Sequence, residues 1–328
     1  MTDHLHDIAP SALPDQEDVI TSSSQEPEEP VASESAFNKP RSLWDDAWDI
    51  MRNRPLFWIA AVLMLFFIVM AAFPSLFTSK DPRYCVLAFS RQPPSASAIF
   101  GYDFQGCDIY ARTIYGARAS ILVGVFTAGV AAILGSFLGT IAAYFGGWVD
   151  TVISRIADIF FAIPLLLGGI IIMYSIPTNP GSPYLLVIFK VVFALSILGW
   201  PNIFRLMRSS VMQVKPNEYV QAARALGARP MHVIGSHIVP NSLAPVIVVS
   251  TIDLGSYIAT EATLSFLGIG LQAPAVSWGI AISNASALGY IRQAPHMLFF
   301  PALFLCLAVL SFIMLGEVVR DALDPKLR

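Results

Sequence analysis

Long runs of apolar positions, broken at intervals by short polar clusters, dominate the chain from residue 56 onward. A helix crossing a hydrocarbon layer of about 30 Å needs about 20 apolar residues, because backbone N–H and C=O groups in lipid must be satisfied within the helix. Five segments meet that length directly: 56–77, 119–145, 152–176, 184–206 and 298–318. A sixth, 243–267, is apolar apart from Asp253 and Glu261. The pattern predicts an all-α integral membrane protein with six spans. Ahead of the first span, Trp44, Ala47, Trp48 and Met51 recur at helical spacing, opposite Asp45, Asp46, Asp49 and Arg52. That face predicts a short amphipathic helix over 41–55 lying in the interface, where Trp rings prefer to sit. A plain extension of the first span is the alternative.

Composition removes the soluble classes. Of 328 residues, 55% are hydrophobic and only 13% charged, whereas a soluble domain is about a quarter charged. The formal net charge of −3 averages two unlike parts. Residues 1–38 carry nine acids (Asp3, Asp7, Asp15, Glu17, Asp18, Glu26, Glu28, Glu29, Glu34) and no Lys or Arg. Such a stretch buries too little apolar surface to offset its ordering entropy, so 1–40 is expected to be a disordered cytosolic tail. It lacks the basic start and adjoining apolar core of a secretory signal. Residues 56–328 form the membrane domain.

Orientation follows from Lys and Arg in short loops. Arg41, Arg52 and Arg54 precede the first span, Arg205, Arg208, Lys215, Arg224 and Arg229 surround the loop after the fourth, and Arg320, Lys326 and Arg328 close the chain. With six spans all three clusters share one side, expected to be the cytosol, so both termini are cytosolic. The 78–118 segment is then external despite Lys80, Arg83, Arg91, Arg112 and Arg118; long loops follow the rule weakly. That loop holds Cys85 and Cys107, while Cys306 lies within the last span. Extracytoplasmic thiols tend to oxidise, and the pair is expected to form a disulfide, with two free thiols as the alternative. No His stands near either Cys, and no metal site is expected.

A pump needs an energy source, and none is legible within the chain. A phosphate-cradling loop needs Gly before Lys and Ser or Thr after it; the five lysines are followed by Pro, Asp, Val, Pro and Leu. Carboxylates and histidines do not recur through several spans as in proton-coupled carriers. Instead the chain has a long polar loop, 211–240, reading VMQVKPNEYVQAARALGARPMHVIGSHIVP. Glu218, Gln221, Ala222, Ala223, Ala225 and Leu226 favour a helix and Gly227 is its natural stop. The small side chains of Ala222 and Ala223 would let another protein approach the helix backbone. A second helix after Pro230 is expected to run back to the membrane and stop at Pro240.

Tyr219 to Pro240 resembles the EAA loop of binding-protein-dependent ABC permeases, with Ala222, Ala223, Gly227 and Pro240 in matching positions. Gln221 replaces the motif's Glu, and His237 stands where many members have an aliphatic residue. Three further stretches are similar to the dipeptide and oligopeptide permease C subunits: FGYDFQGCDIYARTIYGARASIL (Phe100 to Leu122), LSFLGIGLQAPAVSWG (Leu264 to Gly279) and RDALDPKLR (Arg320 to Arg328). Tyr102 and Cys107 depart from the usual Thr and Arg. The likeness spans residues 43–328.

The resemblance implies the six-helix type I ABC importer permease fold in the cytoplasmic membrane, with a cytosolic coupling helix. It implies a second permease subunit, two ATPase subunits or a fused ATPase, an extracytoplasmic binding protein and a peptide cargo. The chain would have no catalytic residue and bind no cofactor; ATP and Mg would sit on the ATPases. The ATPase contact implied is Glu218, Gln221, Ala222, Ala223, Arg224, Leu226 and Gly227, with Pro240 closing the loop.

Within the spans, Asp253 and Glu261 would each cost roughly 2.5–3.5 kcal/mol at a lipid-exposed bilayer centre. Both are expected to face the pathway or a partner. Glu261, about 12 Å beyond Asp253 at 1.5 Å per residue, falls near the outer boundary, either as a gate or as a snorkelled structural group. Arg155 and Asp158 are one turn apart and expected to pair. Gly135 and Gly139 have the small-xxx-small spacing of close helix packing. Rival readings are the same fold carrying nickel or another small solute, a stand-alone secondary carrier or channel, and an intramembrane enzyme.

Overall fold

The computed structural model describes residues 43–176, 182–272 and 274–323, with side chains from Trp48 onward. The acidic tail over 1–40, the faces of Trp44 and Ala47, and the terminal Lys326 and Arg328 lie outside the described residues. Among the described residues, α1 (Leu43–Arg52) and α2 (Pro55–Ala72) are separate helices rather than one extended span. Pro55 sits in the first turn of α2, where its missing N–H leaves no bond unmade. Trp48 packs edge-on against Phe57, ring centroids 5.7 Å apart, and seats α1 on the start of α2.

α3 runs from Ile109 to Phe145, 37 residues and about 55 Å. It begins ten residues before the expected 119, inside the segment read as external loop, because the Asp108 carboxylate accepts the Ala111 N–H (3.1 Å) and caps it. The expected span 152–176 is instead two helices, α4 (Gly147–Phe161) and α5 (Leu165–Ser175), bent by 87°. Pro164 disfavours helical backbone at Ile163, so α4 ends and α5 restarts beyond the proline. α6 spans Tyr184–Val214 and α7 Glu218–Ala225.

A second correction concerns Pro240. After α8 (Pro230–Val233) the backbone passes through one π-helical turn, Ile234–Ile238, directly into α9 (Val239–Phe266), so the helix does not stop at Pro240. The Val239 N–H reaches back five residues to the Ile234 carbonyl, and this wider turn accommodates the proline that follows it, which has no N–H to give to the helix. Two short helices that the hydropathy pattern does not show, α10 (Trp278–Ala285) and α11 (Leu288–Gln293), lead into α12 (His296–Leu323). Five described helices are long and apolar enough to cross a membrane, and the bent α4–α5 pair makes a sixth if counted as one span.

α3 and α6 form the centre. A Cβ at Gly135 would lie 2.8 Å from the Trp200 carbonyl oxygen, and one at Gly139 2.7 Å from that of Phe204. The two glycines therefore permit a backbone approach no larger residue would allow. Val123, Val191, Leu195 and Leu264 are buried beside this seam, and Phe67, Ile114, Ile258 and Phe312 form a second cluster around Trp278. The Trp278 indole N–H donates to the Thr113 carbonyl (2.9 Å), which fixes α10 on α3. Trp58, Ile59, Val62 and Leu65 on α2 remain exposed, as a lipid-facing helix requires.

Candidate functional site

The 211–240 loop folds against the far end of α3. The Lys215 ammonium donates to the Ala143 and Tyr144 carbonyls (3.1 and 2.8 Å), two of the acceptors left open where α3 ends. Val220 is fully buried in a cluster with Ala143, Met207, Val211 and Val233. Ala223 is half-buried on the same side, and the Arg224 guanidinium lies 4.8 Å above the Tyr144 ring. The spacing 220, 223, 224 thus gives α7 one inward stripe. Glu218, Gln221, Ala222 and Leu226 lie on the exposed side, Leu226 at 89% exposure.

α7 ends in a Schellman turn. The Ala228 N–H bonds to the Ala223 carbonyl (3.1 Å) and the Gly227 N–H to that of Arg224 (2.9 Å), with Gly227 at φ +82°. Of the residues expected to contact another protein, Glu218, Gln221, Ala222, Leu226 and Gly227 are therefore exposed, whereas Ala223 and Arg224 also pack on their own chain. α7 thus presents a solvent-facing leucine beside small residues, on a helix held at its base by Lys215 and Val220. Pro240 lies beyond it at the root of α9.

At the opposite end of α3, Cys85 and Cys107 are joined by a disulfide. One Asp103 carboxylate oxygen accepts the Gln105 and Cys107 N–H groups (2.8 and 2.9 Å), and the other takes an Arg112 N–H at 2.6 Å. Lys80 pairs with Asp108 at 2.6 Å and also donates to the Ser97 carbonyl. Each charge of this loop that is buried finds an opposite charge within the loop.

The structure separates the two span carboxylates. Asp253 is half-buried, accepts from Asn202 (3.4 Å) and lines a cleft of about 290 Å³ with Phe160, Pro164 and Tyr257 at the α4–α5 bend. Glu261 faces no cleft: it is 0% exposed, accepts the Ser265 hydroxyl (2.7 Å) and lies inside the α3, α9 and α10 packing. The expectation that it faces a pathway, or snorkels to the boundary, is corrected. Gly279 on α10, which approaches the Ala262 carbonyl too closely for a Cβ, draws α10 over it.

The expected Arg155–Asp158 contact is 3.6 Å, but Asp158 also receives Arg205 of α6 at 2.8 Å. A bidentate Arg208–Asp150 pair (2.5 and 2.6 Å) again ties α4 to α6. These cross-helix pairs have no signal in sequence spacing, because they join positions 47 and 58 apart. Among the described residues no group of three metal-ligating side chains is assembled.

A family model described as binding-protein-dependent transport system inner membrane component matches residues 135–328. A second, the N-terminal TM domain of oligopeptide transport permease C, matches residues 42–94. An oligopeptide transport system permease protein of Bacillus subtilis is 39% identical over 296 residues, 90% of this chain and 94% of that protein. A dipeptide transport system permease protein of Alkalihalophilus pseudofirmus is 38% identical, covering 88% and 91%. A glutathione transport system permease protein of Escherichia coli is 35% identical, covering 88% and 92%. Among solved structures, the MetNI methionine ABC transporter in inward-facing conformations superposes with a TM-score of 0.51 at 17% identity, over 64% of this chain and 96% of that one. That likeness is one of fold.

Proposed function

Because the chain belongs to the family of binding-protein-dependent transport system inner membrane components, we propose that it is the membrane-spanning permease subunit of an ATP-driven importer of di- or oligopeptides. The oligopeptide and dipeptide permeases it is similar to support that cargo. The observation that carries the mechanism is the exposed face of α7: Glu218, Gln221, Ala222, Leu226 and Gly227 stand clear of the chain on a base anchored by Lys215 and Val220. The face receives the groove of an ATPase subunit on the cytosolic side. ATP and Mg bind there, on the partner, and this chain supplies no catalytic group.

Force enters through α7 and passes along two rigid routes. Lys215 and the Arg224–Tyr144 contact lead into the end of α3. The continuous α8, π-turn and α9 lead to Asp253 at the bend. A second permease subunit completes the pathway, an extracytoplasmic binding protein delivers peptide, and both termini lie in the cytosol. Affinity purification of this chain from detergent tests the reading: two ATPase subunits and a second permease are expected to follow it. Ala222→Trp, which adds bulk on the exposed face without entering the chain's own core, is expected to release the ATPases and leave membrane insertion intact. Unchanged ATPase recovery with that variant contradicts the assignment of the face.

A further inference from the structure

At the disulfide end, between the 79–83 segment, α3 and the start of α6, lies an open cavity of about 570 Å³ lined by Lys80, Asp81, Arg83, Tyr115, Arg118 and Tyr184. Its charges are not all matched. Lys80 is taken by Asp108 at 2.6 Å, and Asp81 is an exposed rim residue whose carboxylate accepts the Arg83 backbone N–H (2.8 Å). The two guanidinium groups have no carboxylate partner among the described residues. Arg118 gives Nε–H and Nη2–H to the Ala71 and Ala72 carbonyls (3.0 and 2.9 Å), and Arg83 makes one long bond, 3.3 Å, to the Pro274 carbonyl. Each keeps an Nη1 amino group with no acceptor among the described residues. The lining is left net positive, and Arg118 is held rigidly by the end of α2, so little side-chain freedom remains to be lost on binding.

We infer that this cavity is a carboxylate site, taking the C-terminal carboxylate of a peptide at the outer mouth of the permease; the inference rests on the peptide-importer reading above. The planar guanidinium fork matches a carboxylate in two parallel N–H···O bonds. The volume lies in the range of small-molecule sites, and two tyrosines beside the cations offer ring faces and hydroxyls of the kind that orient a ligand in such a site. A concave cavity of this size favours a short peptide end over a flat docking surface of another protein.

The test uses the assembled importer in phosphatidylcholine nanodiscs without its binding protein, and compares equilibrium binding of tri-alanine with that of tri-alanine amide. The free acid is expected to bind about 10-fold or more tighter, the effect of one charge-assisted pair. Arg83→Gln, whose side chain makes only one long contact and does not endanger the fold, is expected to remove most of that preference. Arg83→Lys is expected to keep part of it. Equal binding of acid and amide by the wild type overturns the inference, as does an acid preference untouched in Arg83→Gln. If that variant instead raises only the binding-protein concentration needed for half-maximal ATPase activity, the cavity is a protein-docking surface and the inference fails. If phosphatidylglycerol in the nanodisc abolishes the acid preference, the cations serve lipid phosphates and it fails equally. A complex that hydrolyses ATP in response to loaded binding protein but shows no acid preference overturns this inference alone. Recovery without ATPase subunits overturns the reading beneath it.

Discussion

The loops at the two ends of α3 are built on opposite plans. Around Cys85–Cys107 the chain pairs its buried carboxylates within itself: a covalent bridge, the Asp103 carboxylate occupied by Gln105, Cys107 and Arg112, and Asp108 held by Lys80. α7 itself does the reverse, burying Val220 and part of Ala223 and Arg224 while exposing Leu226 and the small Ala222. A loop that must keep its own shape places its polar groups inward on one another. If the loop transmits force as proposed, the apolar, small-sided face it leaves uncovered carries a cost in solvation that the partner relieves.

That contrast makes graded predictions. The largest effect on uptake is expected on the exposed side of α7, where Ala222→Trp should lower it by at least about 10-fold, the loss of a tightly packed contact of roughly 1.4 kcal/mol or more, with the solubilised chain melting as before. Normal uptake in vesicles would break the comparison. The largest effect on stability is expected at the bridge: Cys85→Ser with Cys107→Ser should cost about 3 kcal/mol of loop-closure stabilisation, read as a lower melting temperature. ATPase recovery should not change, and a coupled loss of ATPase subunits would mean the two ends are not independent. Val220→Ala, deleting two buried methyl groups, should loosen α7 by about 1–2 kcal/mol and speed amide exchange across 218–228. Smallest is Gly227→Ala, which forces a side chain into the left-handed region at φ +82° for about 1 kcal/mol. Its signature should be a frayed end to α7 and a modest fall in coupling.

Sequence reading recovered what local physics decides. The spans follow from hydropathy, the stop of α7 from Gly227, and the pairing of Cys85 with Cys107 was expected from their common place in one external loop. It misplaced what depends on neighbours. The run 152–176 is apolar apart from a few polar positions, Arg155 and Asp158 among them, and long enough for one span, so hydropathy alone does not show the 87° bend at Pro164. Pro240 reads as a helix stop unless the π-turn before it is known. Glu261 resembles a pathway group until α10, itself too short to register in hydropathy, is seen to enclose it. Ala223 and Arg224 carry the same motif as Ala222, and only the Tyr144 ring and the Val220 cluster decide which way they face.

The central claim is that the outward stripe of α7 is where a nucleotide-hydrolysing partner grips this subunit. The most direct measurement places a cysteine at that stripe, Leu226→Cys in a Cys306→Ser background, and follows bifunctional-maleimide cross-linking in the assembled importer during ATP turnover. Efficient linkage to an ATPase subunit, with a yield that changes through the nucleotide cycle, is the predicted result. Linkage confined to this chain in every nucleotide state would contradict the account.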